Sequence, residues 1–173
     1  MYIKEKDVAI RKFDFSDVDL KVKWINDEKN NKYLHYALPL YADKTAEWWE
    51  RTKDAENRLD CTILYNDEPV GLIGLLGIDK VNKKAEYYVC LGEHSCKGKG
   101  VAKAASRLLV KYAFEVLDLN KVYLYTEEEN ISAQRLFESL GFRKEGLLVE
   151  DLIYNGRKVN RFVYGLLKDE AAL

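Results

Sequence analysis

The chain has little that would indicate a metal, a disulfide framework or a membrane. Three of its 173 residues are cysteine and two are histidine. Cys61, Cys90 and Cys96 are odd in number and lack Cys-x-x-Cys spacing, so they read as free thiols, at least two of them core residues. His35 and His94 lie far apart without a ligand partner, so no metal is expected. The first residues, Met1 to Asp7, lack the apolar core and cleavage site of a signal peptide. No run approaches the about 20 apolar residues of a membrane span, and the chain reads as cytoplasmic with no membrane contact. Net charge is also nearly absent, with 28 Lys and Arg against 29 Asp and Glu. No global field would draw such a surface to nucleic acid, so a small molecule or a protein is the expected partner. Two prolines, no repeat and no low-complexity segment leave no linker. Residues 1–173 are expected to form one domain, long enough to bury roughly two thirds of the unfolded surface.

What is present is a run of periodic segments. Val8 to Lys12 reads as a strand, and Ser16 with Asp19 reads as the cap and first-turn acid of a helix reaching about Asn26. Asp43 is the expected cap of a second helix, Lys44 to Ala55. The polar and aromatic connection Asp27 to Tyr41 between them is a candidate binding loop. Leu59 to Tyr65 and Val70 to Gly77 read as a hairpin around Asn66-Asp67, with pairing limited by Pro69. Ala85 to Leu91 is strand-like. Val101 to Leu117 carries apolar residues at helical spacing (Val101, Ala105, Leu108, Leu109, Tyr112, Val116). A strand at Lys121 to Thr126 and a helix opening at Asn130 follow, and Asn155-Gly156 between apolar runs is a strong hairpin signal. The expected fold is α/β (α+β), a mixed and mainly antiparallel sheet flanked by helices.

The stretch Lys97-Gly98-Lys99-Gly100-Val101-Ala102 lies between a strand and a helix. Glycines let the backbone approach an anion, consecutive N–H groups point inward, and the helix adds its positive dipole end. Lys97 and Lys99 add charge. The loop lacks the Gly-Lys-Ser/Thr ending of a magnesium-nucleotide site.

This order of pieces resembles the cofactor half of the GNAT acetyltransferase superfamily, whose motif reads Gln/Arg-x-x-Gly-x-Gly/Ala between a strand and a long helix. Ile10-Arg11 with the following helix, Asn130 to Phe142 (Asn-x-x-Ala…Leu-Gly-Phe) and the hairpin Gly146 to Tyr164 extend the resemblance over most of the chain. It looks closest to the ribosomal-protein and spermidine acetyltransferase branch. Two residues depart from the pattern. Lys97 replaces Gln or Arg and still supplies a cation, while Phe137 stands where many members place a catalytic tyrosine and cannot donate a proton.

The resemblance implies acetyl-CoA as cosubstrate, no metal, and direct attack of a primary amine on the thioester. It implies that the pyrophosphate lies on Gly98 to Ala102 beside Lys97 and Lys99. The pantetheine arm would run along the backbone of Val89, Cys90 and Leu91, with the Cys90 N–H polarising the thioester carbonyl. Asn130 would cap its helix and contact the cofactor. Glu86 lies eleven residues before Lys97, as the base does in a histone-modifying subfamily, and shares a strand face with Tyr88 and Cys90. An aliphatic ammonium has a pKa of about 10, so a carboxylate that removes its proton is useful at neutral pH. Ser139, Tyr125 and Glu127 are the remaining candidates for an acid.

Acceptor contacts are expected from Tyr33, His35 and Tyr36 in the loop, whose rings with polar tips suit a small polar molecule. Trp24 joins them because Trp24-Ile25-Asn26-Asp27 resembles the start of members that acetylate amino sugars. An amino sugar is therefore the favoured acceptor, with a polyamine or a protein N-terminus as the alternative. The acidic groups Glu127-Glu128-Glu129 and Glu150-Asp151 favour a polyamine. A CoA-binding sensor without catalysis is the alternative outside enzymes, and Phe137 is its main support. A homodimer is left open.

Overall fold

The computed structural model describes residues 1–172. In chain order the elements are β1 (Tyr2–Glu5), β2 (Val8–Lys12), α1 (Val18–Asn26), α2 (Glu28–Asn31), α3 (Ala42–Thr52), β3 (Arg58–Tyr65) and β4 (Glu68–Asp79). They continue with β5 (Lys84–Leu91), α4 (Val101–Glu115), β6 (Lys121–Glu127), α5 (Ile131–Ser139), β7 (Arg143–Tyr154) and β8 (Arg157–Leu167). The strands form one eight-stranded sheet in the order β1-β2-β3-β4-β5-β6-β8-β7. Every pair is antiparallel except β5 with β6. No helix among the described residues is long and apolar enough to cross a membrane.

The sheet buries both faces. On one face α4 lays Val101, Ala105, Leu109 and Ala113 against Ile10, Ile63, Ile73, Leu75, Ala85 and Leu124. Their spacing is the apolar stripe of an amphipathic helix, and a side chain such as Leu109, fully buried, contributes about 1.5–3 kcal/mol. α5 closes this layer with Phe137 and Leu140. On the other face Phe13, Val18, Trp24, Ile25 and Leu72 form a second core, with Trp48, Trp49, Tyr88 and Cys90 packed against it.

Two tight turns match their residues. Asn66 and Asp67 have φ of 51° and 65°, and Asn155 and Gly156 have 50° and 75°, the left-handed pairs that suit the twist of a two-residue hairpin. Other expectations need correction. Ser16 is not the cap of α1. Asp14 accepts from the Ser16 N–H at 3.1 Å and forms a reciprocal capping box with Asp17 around the turn Phe15–Asp17, so the helix starts at Val18. Asp43 lies in the first turn of α3, which begins one residue earlier, at Ala42. Pro69 does not end the β3–β4 pairing, because a register shift near Ile63/Leu64 lets Leu64 oppose Pro69 and the ladder continue to Tyr65 and Glu68. β1 and α2 carry no strong sequence signal and were not anticipated.

Asp17 is 1% exposed yet fully partnered. Arg11 from β2 donates to both its oxygens at 2.6 and 2.7 Å, the Asp14 N–H donates at 2.9 Å, and Thr62 from β3 donates at 2.8 Å. This carboxylate fastens the start of α1 to the sheet.

At the other end of α1, the Trp24 indole lies flat against Gly92, and a Cβ on Gly92 would fall inside van der Waals contact of the ring. Trp24 is 1% exposed and has no room to retreat. We expect Gly92→Ala to cost about 2–3 kcal/mol and to lower Tm by roughly 5–10 °C. A thermal melt checks this, and an unchanged Tm would show that the indole is not held.

Candidate active site

β5 and β6 are paired only over Lys84 to Glu86 against Lys121 to Tyr123. Beyond that point they part. β5 stays in register with β4 to Leu91, while β6 stays in register with β8 to Glu127. A cavity of about 840 Å³ opens along this gap. It is lined at one end by Lys97, Gly98, Gly100, Val101, Ala102 and Asn130, and at the other by Tyr36, Arg58, Asp60, Glu86 and Tyr88.

The glycine end is a cradle. Gly98 and Gly100 have φ of 76° and 78°, and a Cβ at either position would point into open space. A side chain there would be strained and would fill the room an anion needs. The α4 N-terminus follows at once, with Lys103 also on the lining. Lys97 Nζ donates to Asn30 Oδ1 at 2.9 Å, and Asn30 Nδ2 donates to the carbonyls of Trp24 and Gly92. The segment after α1 and the glycine loop are thus tied through one amide. Lys99 is exposed and does not line the cavity. Asn130 caps α5, accepting from the Ala133 N–H at 3.2 Å, and also lines the cavity.

The backbone phase of β5 corrects one expectation. The Gly92 N–H donates to Val70 O at 2.9 Å, and the register runs unbroken through Leu91, Cys90 and Val89 opposite Gly71, Leu72 and Ile73. Bonded positions alternate in an antiparallel ladder, so Cys90 directs its N–H and C=O toward β4. Val89 and Leu91 direct theirs into the gap. Cys90 is therefore not the backbone donor. Its thiol lines the cavity, pushed up to about 11 by burial.

Glu86, Tyr88 and Cys90 share one face of β5, as alternation requires, and all three line the cavity. Among the described residues the Glu86 carboxylate has no hydrogen-bond or ion-pair partner. Burial raises its pKa above the usual glutamate value, and the charge of Arg161 opposes this. Tyr88 donates to Asp60 Oδ1 at 2.6 Å, and Arg58 holds the same carboxylate through two bonds at 2.6 and 2.9 Å.

Tyr33, His35 and Tyr36 all line the cavity. His35 Nε2 lies 2.7 Å from Glu127 Oε1, Arg157 donates to both Glu127 oxygens, and Tyr154 donates to the Tyr36 carbonyl at 2.9 Å. Burial pushes the Tyr36 hydroxyl up to about 12. Trp24 does not face the cavity. It is core, its Nε1 donating to Glu93, so it is not an acceptor contact. Phe137 is 6% exposed among Tyr87, Phe142 and Tyr164, and forms wall. Ser139 is exposed, donating to Leu136 O, and lies off the lining. Tyr125 is on it. Among the described residues no three His, Cys, Asp or Glu side chains gather as a metal site.

Sequence reasoning missed Lys21, Arg58, Asp60, Tyr88 and Asn30. One signal was available. Lys21 follows Val18 by three residues and precedes Trp24 by three and Ile25 by four, which places a lysine on the buried stripe of α1.

Comparison with known proteins places the chain in a family. The family described as acetyltransferase (GNAT) domain matches residues 7–143. The putative ribosomal N-acetyltransferase YdaF of Bacillus subtilis is 32% identical over 170 residues, covering 94% of this chain and 92% of the relative. Spermidine N(1)-acetyltransferase of Vibrio cholerae is 38% identical over 89 residues, about half of each chain (51% and 50%). The crystal structure of spermidine N-acetyltransferase from Vibrio cholerae, in complex with CoA and spermine, superposes with a TM-score of 0.88 at 24% identity, covering 96% and 98% of the two chains.

Glu127 is 2% exposed and joins the loop carrying His35 to the closing hairpin. Glu127→Ala is expected to cost about 1–3 kcal/mol, because His35 and Arg157 lose their shared acceptor. Amide exchange at residues 33–36 should accelerate with it. Unchanged exchange would show that the loop is held elsewhere.

Proposed function

The chain belongs to the GNAT acetyltransferase family, and from that membership we propose that it transfers the acetyl group of acetyl-CoA to the primary amine of a small molecule, with an amino sugar as the favoured acceptor. The observation that carries this reading is the single cavity joining the glycine cradle, the parted strands and Glu86.

Acetyl-CoA, when bound, supplies the activated thioester. The N–H groups at the start of α4, with Lys97 and Lys103, suit its pyrophosphate, and the open Cβ directions of Gly98 and Gly100 leave room for it. The free backbone groups of Val89 and Leu91 suit an extended amide chain and supply the N–H that polarises the thioester carbonyl. Glu86 removes a proton from the acceptor ammonium, directly or through water. Its raised pKa brings it closer to that of the amine and makes it a better base than an exposed glutamate. The amine nitrogen then bonds to the carbonyl carbon, the carbon–sulfur bond breaks, the nitrogen gives up its surplus proton to water to leave the amide, and the thiolate takes a proton. Tyr125 is the candidate for that donation, since Phe137 carries no proton, Ser139 lies off the cavity, and Glu127 is engaged by His35 and Arg157.

A polyamine is the second reading, supported by the relative named spermidine N(1)-acetyltransferase. Against it, the acidic groups at this end of the cavity are mostly consumed internally. Asp60 is held by Arg58 and Tyr88, and Glu127 by Arg157 and His35. Each ammonium left without a partner in a cleft is costly.

Gly100→Val is expected to abolish acetyl-CoA binding measured by calorimetry, while wild type binds and is stabilised. Unchanged binding in the variant would remove the glycine loop from the site. Glu86→Gln should lower turnover by about 10²-fold or more at neutral pH and by less at high pH, where more of the amine is already neutral. In wild type the rate should fall on acidification through the raised Glu86 pKa, since only the carboxylate form accepts the proton. An equal loss at every pH would make Glu86 a positioning residue.

A further inference from the structure

Lys21 lies in the middle of α1, is 7% exposed, and lines the acceptor end of the cavity. Its Nζ sits 3.3 Å from the centre of the Trp48 ring, with the Phe13 and Tyr36 rings at 5.8 and 5.9 Å. Among the described residues it has no carboxylate within 4.0 Å and no hydrogen-bond acceptor. The other charges at this end are matched. Arg58 and Asp60 hold each other, Arg161 pairs with Asp151, and Glu127 pairs with Arg157. Burial lowers the Lys21 pKa to about 8, with the charge of Arg58 adding to this and that of Asp60 opposing it. A buried ammonium held only by ring faces is an arrangement that an anion would complete.

Glu86 is its counterpart, the one carboxylate of this end with no partner among the described residues. At this end of the cavity one cation and one carboxylate, Lys21 and Glu86, lack an ion-pair partner among the described residues, which describes a ligand that carries both signs. We propose that Lys21 binds an anionic group of the acceptor, so that the acceptor is a primary amine that also bears a phosphate or a carboxylate. This rests on the acetyltransferase reading and narrows its acceptor: an amino sugar would carry a phosphate, and an amino acid its own carboxylate. A polyamine, which brings only positive charge, would be repelled from Lys21.

The test measures acceptor binding by calorimetry in the presence of CoA, so that it does not depend on turnover. Two matched pairs are used, glucosamine 6-phosphate with glucosamine and γ-aminobutyrate with butylamine, together with spermidine. In wild type the member bearing the phosphate or carboxylate should, in at least one pair, bind about 10–100-fold tighter than the partner that lacks it, the range of a charge-assisted contact. The pair that responds identifies the anion. Lys21→Met, which keeps the apolar stem, should bring that preference within about threefold, and Lys21→Arg should retain part of it. No anion preference in wild type, tighter binding of spermidine than of either anionic probe, or a preference that survives in Lys21→Met would each overturn the proposal. Release of free CoA thiol, followed in parallel with acetyl-CoA, reports on the acetyltransferase reading separately. Absence of thiol release with every acceptor, beside an intact anion preference, would remove the reaction and keep the binding site.

Discussion

The separation of β5 from β6 after three paired residues is the constraint on which the rest of the molecule depends. Two adjacent strands normally satisfy each other's polar groups, and leaving those groups free inside a protein is costly. Here each strand is fastened on its outer side instead. Val70 O accepts from the N–H groups of both Gly92 and Glu93, and Asn30 donates to Gly92 O, so the end of β5 is held to β4 and α2. β6 remains bonded to β8 as far as Glu127, whose carboxylate is pinned by Arg157 from β8. The inner edges then face each other across a space that an amide-bearing chain can occupy.

The two ends of that space differ in their electrostatics. Near the glycine loop, Lys97 and Lys103 are added to a helix N-terminus, and the result suits an anion. At the acceptor end most charges cancel within the protein, and selectivity falls to the few that do not. Burial drives the hydroxyl of Tyr36 and the thiol of Cys90 upward in pKa, keeping both neutral, and Glu86 is the carboxylate on the strand face that Cys90 shares. Phe137 fits this economy. It fills an aromatic cluster with Tyr87, Phe142 and Tyr164, and a thiolate leaves readily enough that the reaction asks little of an acid there.

Long periodic segments and turn residues were legible in the sequence. The stripe of α4, the turns at Asn66-Asp67 and Asn155-Gly156, and the strand–glycine loop–helix order each rest on interactions among neighbours in the chain. Family membership followed from the same order of pieces. The phase of the β5 backbone was not legible. The family resemblance points to Cys90, but which residues point into the gap is set by the pairing of Gly92 with Val70, a partner more than twenty residues away. The cap of α1 was misjudged for a similar reason, because Asp17 is oriented by Arg11 and Thr62 on two strands.

The sequence by itself determined the long secondary elements, the glycine loop between strand and helix and the class of chemistry, since these depend on local propensity, glycine geometry and a motif contained in a few residues. Only the tertiary structure decided which side chains share the cavity. Trp24 has the composition of a ligand contact, yet Gly92 packs against it and makes it core. Helical spacing puts Lys21 on the buried stripe of α1, but only the fold brings the Phe13, Tyr36 and Trp48 rings around it and leaves it unpaired among the described residues. The partners that enclose a side chain or leave it unpaired come from distant parts of the chain, and no local pattern encodes them.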